Sequence, residues 1–183
     1  MAGFYGKHII AAVRDEEGIA AAASSGASAV FLLGGDILTL ESSVSFLHEH
    51  GKKVFLHIDL TEGIASDVKG VRYITKYIRP EGLISTRLPL LRCAKEEGLK
   101  TIQRLFLVDS SSLETGERIV SAAKPDYLEV LPGLVPKAIA HLYHTLNVPI
   151  IAGGMITDTD DIVQAISSGA IAVSTSRREL WPK

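Results

Sequence analysis

The chain has 183 residues, 46% hydrophobic, 22% charged and 6% aromatic, which excludes a disordered or collagen-like protein and sets the expectation of one soluble globular domain over 1–183. Its 19 basic and 21 acidic residues give a formal net charge of −2, so no global field recruits nucleic acid or a membrane, and any such contact must be a local patch. The single cysteine, Cys93, excludes an internal disulfide and a Cys-only zinc site, and the first apolar stretch stops at Arg14, far short of the ~20 residues of a membrane span; both fit a cytoplasmic protein.

Eight short apolar runs, 9–13, 29–33, 54–59, 83–86, 101–107, 127–131, 149–152 and 171–175, read as strands. Most are continuous in aliphatic residues, the pattern of parallel strands covered on both faces. Helix punctuation fills the gaps. Gly26, Gly51, Gly98 and Gly169 sit where helices stop, Ser111 with Glu114 has capping-box spacing, Asp158 precedes an apolar helical run, and Pro136 suits a first turn. Strand starts at 8, 29, 53, 82, 101, 126, 148 and 171 are 19 to 29 residues apart, leaving no room for a second domain. Eight βα units with right-handed crossovers predict an α/β fold, a compact (β/α)8 TIM-barrel-like domain. Only 176–183 follow the last strand, so the eighth helix is truncated and a neighbouring subunit in a homo-oligomer is expected to cover part of the wall.

In such barrels the ligand site lies at the C-terminal strand ends. Those ends read Arg14, Gly34-Gly35-Asp36, His57 with Asp59, Ser85-Thr86-Arg87, Asp109, Glu129, Gly153-Gly154 and Ser174-Thr175-Ser176. The last two groups lie on strands seven and eight, where backbone N–H groups, hydroxyls and a following helix start would cradle a phosphate. The same residues also suit a plain tight turn and a helix cap.

Alternation along strand three turns Phe55, His57 and Asp59 inward, and strand six turns Glu129 inward. Buried carboxylates need donors, for which Arg14, Arg87 and Arg104 are the candidates. Strand five cannot point both Gln103 and Arg104 inward, and the guanidinium is assigned to the lumen because the dry strand–helix layer would cost it more. Asp59 and Glu129 could act as an acid/base pair, grip ligand hydroxyls, or join a structural ion-pair network. The pairs His48/His50 and His141/His144 lack a completing carboxylate, so no metal is expected. Cys93 reads as a packed helix residue, and Lys52-Lys53 and 95–100 as solvated helix ends. No Walker motif, dinucleotide fingerprint or RNP-like aromatic strand is present.

The segments His57-Ile58-Asp59-Leu60, Ile84-Ser85-Thr86-Arg87, Ile102-Gln103-Arg104-Leu105, Pro125-Asp126-Tyr127-Leu128-Glu129-Val130-Leu131-Pro132-Gly133, Ala152-Gly153-Gly154 and Thr175-Ser176 strongly resemble the glycerol uptake operon antiterminator family along essentially the whole chain. The resemblance implies a bacterial regulator that senses glycerol 3-phosphate as effector, needs no cofactor, and binds leader mRNA of glycerol genes to prevent transcription termination. The sequence departs from the family pattern at Ala12, where proline is expected, and at Arg177, where asparagine is. Barrel logic assigns the ligand to Arg14, Asp59, Arg87, Arg104, Glu129, Gly153, Gly154, Ser174, Thr175 and Ser176. Lys7, Arg177, Arg178 and Lys183 are the candidates for RNA. The alternative reading is a phosphosugar isomerase or lyase with Asp59 and Glu129 as acid and base; the short units leave little room for an enzyme's lids.

Overall fold

A computed structural model describes residues 8–183. Eight strands, β1 (Ile9–Val13), β2 (Ala29–Leu32), β3 (Lys53–His57), β4 (Gly82–Ser85), β5 (Lys100–Phe106), β6 (Tyr127–Leu131), β7 (Ile150–Gly153) and β8 (Ala170–Thr175), pair in sequence order and close into a parallel barrel. Seven helices lie between them: α1 (Glu16–Ser24), α2 (Leu40–Glu49), α3 (Val68–Tyr73), α4 (Leu88–Glu96), α5 (Ser110–Ala123), α6 (Pro136–Thr145) and α7 (Thr159–Ser167). The eight predicted runs are the eight strands, with ends that agree or differ by no more than two residues.

Alternation divides the apolar residues into two cores. Val30, Leu56, Leu83, Leu128, Ala152 and Val173 face outward against the helices, while Ile10, Phe31, Ile84, Ile102 and Ile151 fill the lumen. Helix starts are set by carboxylates: Asp15, Asp67, Asp109 and Asp158 each accept a backbone N–H from the first turn. The capping box of α5 uses Asp109 and Ser112 rather than the expected Ser111 and Glu114. Asp109 wins because it already stands at the strand–helix corner and, as a charged acceptor, satisfies the orphan N–H of Ser112 better than a hydroxyl does. Asp158 and Pro136 stand where predicted, at the starts of α7 and α6.

After β8 the place of an eighth helix is taken by a short 3₁₀ turn (Arg178–Leu180) and Trp181. The indole N–H donates to the Thr175 carbonyl at 2.9 Å, and Gly26 donates its N–H to the Pro182 carbonyl at 2.6 Å, so the segment runs down the wall as far as the α1–β2 loop. Gly26 has no room for a side chain there, because a Cβ would lie 2.8 Å from the Lys183 carbonyl. The part of the wall at Val173 and Thr175 is therefore already buried within the chain, with this segment against it. Ile171, the residue skipped at the register shift in the β7–β8 pairing, remains half-exposed. No helix among the described residues is long and apolar enough to cross a membrane.

Trp181→Ala removes a buried aromatic and one hydrogen bond. It should lower stability by about 3–5 kcal/mol in urea unfolding, and a loss within 1 kcal/mol would mean that Trp181 does not close the wall.

Candidate functional site

Register determines which side chains share a level inside the barrel. Each strand steps one residue relative to its neighbour as the eight-stranded barrel closes, so alternate strands supply each layer. Following the pairings, Ile10, Phe55, Ile102 and Ile151 form one layer; Phe31, Ile84, Glu129 and Ser174 form the next; and Ala12, His57, Arg104 and Gly153 form the one above. The lumen thus changes from wholly apolar to polar within two layers. Because Ala12 and Gly153 are small, a cavity of about 370 Å³ opens above Glu129 and Ser174.

Glu129 is the centre of this cavity's floor. It is 1% exposed, and Arg104, 6% exposed, donates Nε–H to its Oε2 at 2.7 Å while Ser174 donates its hydroxyl to Oε1 at 2.7 Å. Gly153 makes this possible: a Cβ there would lie 2.5 Å from the Ser174 oxygen and 2.6 Å from Glu129 Oε1. Gln103, the neighbour of Arg104, points to the outer layer and donates to the carbonyls of Ser85, Thr86 and Arg104. The guanidinium thus lies in the lumen, as its desolvation cost predicts.

Of the ten ligand-site candidates, Arg14, Arg104, Glu129, Gly154, Ser174, Thr175 and Ser176 line the cavity. Gly153 stands in the layer just above Glu129 and Ser174 and is not part of the lining. Asp59 and Arg87 are elsewhere. The strand ends at His57 and turns into a 3₁₀ segment, Ile58–Leu60, so the alternation that was to aim Asp59 inward stops two residues too early. Asp59 instead receives the Ser85 hydroxyl at 2.7 Å, the Thr86 N–H at 3.1 Å and the Arg87 Nε–H at 2.9 Å. Burial opposes its charge, but these hydrogen bonds outweigh burial and hold the carboxyl below its usual range. Asp59 and Glu129 are therefore not a facing acid/base pair; each is committed to its own donors.

Across the mouth stand the cation and the N–H groups. Arg14 is exposed, lines the cavity, and makes no ion pair among the described residues. The N–H groups of Met155 and Ser176, which lie outside the strand ladders, find no acceptor among the described residues. Met155 is a non-glycine residue in the left-handed region at φ 63°, following Gly154 at φ 74°, a strained turn of the kind that collects at binding sites. Thr175 is committed to the turn, donating to the Ile156 carbonyl at 3.2 Å and accepting from the Arg177 N–H at 3.1 Å. Leu33, Leu131, Met155 and Ile156 supply an apolar wall that the sequence did not flag, because aliphatic residues at strand ends read as core.

The third lumen residue of interest, His57, is 3% exposed and its Nδ1 has no hydrogen-bond partner among the described residues; Asp59 Oδ2 is 3.9 Å away. Burial, and then the nearby Arg104 cation, pull its pKa down to about 4, so the imidazole is neutral.

The RNA candidates do not gather into a free basic patch. Arg178 is engaged by Glu17 and lies 3.7 Å from Asp15, Arg177 lies 3.8 Å from Glu179, Lys183 is at the far end of the wall segment, and Lys7 is outside the described residues. Lys52 is buried rather than solvated, its ammonium donating to the Ser25 carbonyl. His141 does meet a carboxylate, Glu117 of α5 at 2.6 Å, a contact across 24 residues that spacing could not reveal. No group of three potential metal ligands occurs among the described residues.

Residues 9–181 match the family described as glycerol-3-phosphate responsive antiterminator. A glycerol uptake operon antiterminator regulatory protein of Listeria monocytogenes superposes with a TM-score of 0.93 at 34% identity, covering 98% of this chain and 97% of that one. A glycerol uptake operon antiterminator-related protein of Thermotoga maritima gives 0.85 at 30% identity, covering 96% and 98%. The Escherichia coli protein YgcP is 34% identical over 173 residues, 94% of this chain and 91% of its own length.

Two measurements probe the floor. Arg104→Met leaves Glu129 buried without its counter-charge and should cost about 3–5 kcal/mol in urea unfolding, most of it regained when Glu129→Leu is added; a single variant as stable as wild type would show the pair to be dispensable. Between pH 6.5 and 4 the unfolded chain takes up a proton that folded His57 refuses, so stability should fall as the pH drops through that window, by up to about 3 kcal/mol. His57→Gln should flatten that part of the profile, whereas parallel wild-type and variant profiles would assign the acid sensitivity to other groups.

Proposed function

The chain belongs to the glycerol-3-phosphate responsive antiterminator family, and from that premise we propose that it is a cytoplasmic sensor that takes glycerol 3-phosphate as its effector, in place of any cofactor, and acts on leader mRNA of glycerol-utilisation genes to prevent premature termination. The observation that carries the ligand assignment is the polarity of the cavity: a cation and free N–H groups at the rim, and a pinned carboxylate on the floor. A phosphoester with a hydroxylated tail matches both ends. Its phosphate would meet Arg14 and the N–H groups of Met155 and Ser176, with the turn at Gly154 letting the backbone approach closely, as anions meet turn amides elsewhere. Its hydroxyls would donate to Glu129, whose two oxygens each retain acceptor capacity beyond the bonds from Arg104 and Ser174. Ser176 and Gly154 serve the same end, while Asp59 and Arg87 belong to the β3–β4 rim and have no direct ligand role in this reading.

The isomerase or lyase alternative needs a carboxylate free to exchange a proton and a second one facing it. Glu129 is held between two donors and Asp59 is bonded to a different strand end. A regulator is therefore the better-supported reading.

Glycerol 3-phosphate at about 100 times its Kd should stabilise the protein by about 2.7 kcal/mol, which is roughly a 5–10 °C rise in Tm for a chain of this size. Glycerol at the same concentration should give no shift, and Arg14→Ala should abolish most of the response to the phosphoester. Equal shifts with glycerol and glycerol 3-phosphate would reject the phosphate assignment, and turnover of triose or pentose phosphates lost on Glu129→Gln would reject the regulator in favour of the enzyme.

A further inference from the structure

The net charge of −2 conceals a strongly one-sided distribution. Between residues 68 and 95 lie seven of the 19 basic residues and only one acidic residue, Glu81, of 21. These residues build α3, a π-helical turn at Ile74–Ile78, β4 and α4, and the two helices pack against each other through Val68 with Cys93 and through Arg72 with Glu97. Arg72 and Arg87 are committed to ion pairs, but Lys69, Lys76, Arg79, Arg92 and Lys95 are exposed and pair with no carboxylate among the described residues. The helix rise of about 1.5 Å per residue spreads Lys69 to Lys76 over roughly 10 Å of one stripe.

Two tyrosines lie in that stripe. Tyr73 and Tyr77 pack with ring centroids 5.0 Å apart and planes tilted by 41°, Tyr77 is 49% exposed, and the Lys76 ammonium stands 5.1 Å from the centre of its ring. Tyr73 is half-buried against the core and props Tyr77 outward; a solvated basic helix has no need of an exposed ring so held, whereas single-stranded nucleic acid needs both cations for phosphates and flat rings for unstacked bases. The π-turn that carries Tyr77 is a rare local geometry that is frequent at functional sites.

We propose that the α3–α4 face, with Lys69, Lys76, Tyr77 and Arg92 at its centre, is the surface on which this protein holds single-stranded RNA. This rests on the antiterminator reading and supplies the basic patch that Arg177, Arg178 and Lys183 do not. The face is built on rigid helices outside the ligand cavity, so it binds RNA backbone in a salt-dependent way whether or not the cavity is filled.

The test is fluorescence anisotropy of a labelled, mixed-sequence single-stranded oligoribonucleotide against the full chain at low salt. Lys76→Glu with Arg92→Glu should weaken binding by at least roughly tenfold and flatten its salt dependence, and Tyr77→Ala alone should weaken it by roughly tenfold. Lys53→Glu with Lys137→Glu makes the same change in net charge on other faces and should alter affinity by less than about twofold. Each variant is checked for an unchanged Tm and far-ultraviolet dichroism. Equal losses from the two double variants, or none from either, overturn the assignment, as does a wild-type protein that binds no RNA, which would leave the face to an acidic protein partner. If the oligoribonucleotide binds through this face but leader RNA binding is indifferent to glycerol 3-phosphate, the surface stands and the sensor reading fails.

Discussion

The upper half of the barrel depends on one buried ion pair, Arg104 with Glu129. Either group alone in that layer would be an uncompensated charge, several kcal/mol too costly to keep. Together with the Ser174 hydroxyl they form a satisfied, electrically neutral floor. That arrangement dictates its neighbours. Position 153 can carry no side chain, because a Cβ would strike both Ser174 and Glu129, and position 12 on the adjacent odd strand is a small residue that leaves the space open. The cavity is thus a by-product of seating two charges where six large apolar side chains fill the lower lumen.

Gln103 shows the other half of the same constraint. With Arg104 inward, Gln103 must enter the strand–helix layer, where its amide is shared among three carbonyls and its Oε1 finds no partner. An orphaned amide oxygen is a smaller cost than a misplaced guanidinium, which is why weighing the two desolvation penalties selected the inward residue correctly from sequence alone.

Strand count, order and face were legible because buried parallel strands are continuous apolar runs with a strict period of two. The same rule failed at Asp59, since periodicity holds only while the strand lasts and nothing in His57-Ile58-Asp59-Leu60 marks the change to a 3₁₀ turn. Contacts between distant residues were illegible for a related reason: Glu117 with His141, and Asp59 with Ser85, depend on which loops the barrel brings together. The basic face is not legible in the sequence because its cations are spaced by helical turns across two helices and never form a consecutive run.

The neutrality of the Arg104–Glu129 floor also limits how loading can be communicated. With His57 uncharged, the cavity offers a phosphoester dianion little more than the single positive charge of Arg14. Under the proposed sensor reading, a protein loaded with the phosphoester is therefore more negative than an empty one, and its field repels a polyanion more strongly. Any gain in affinity for RNA on loading must be mechanical in origin, carried by loops that settle around the ligand, because electrostatics alone would give the opposite sign.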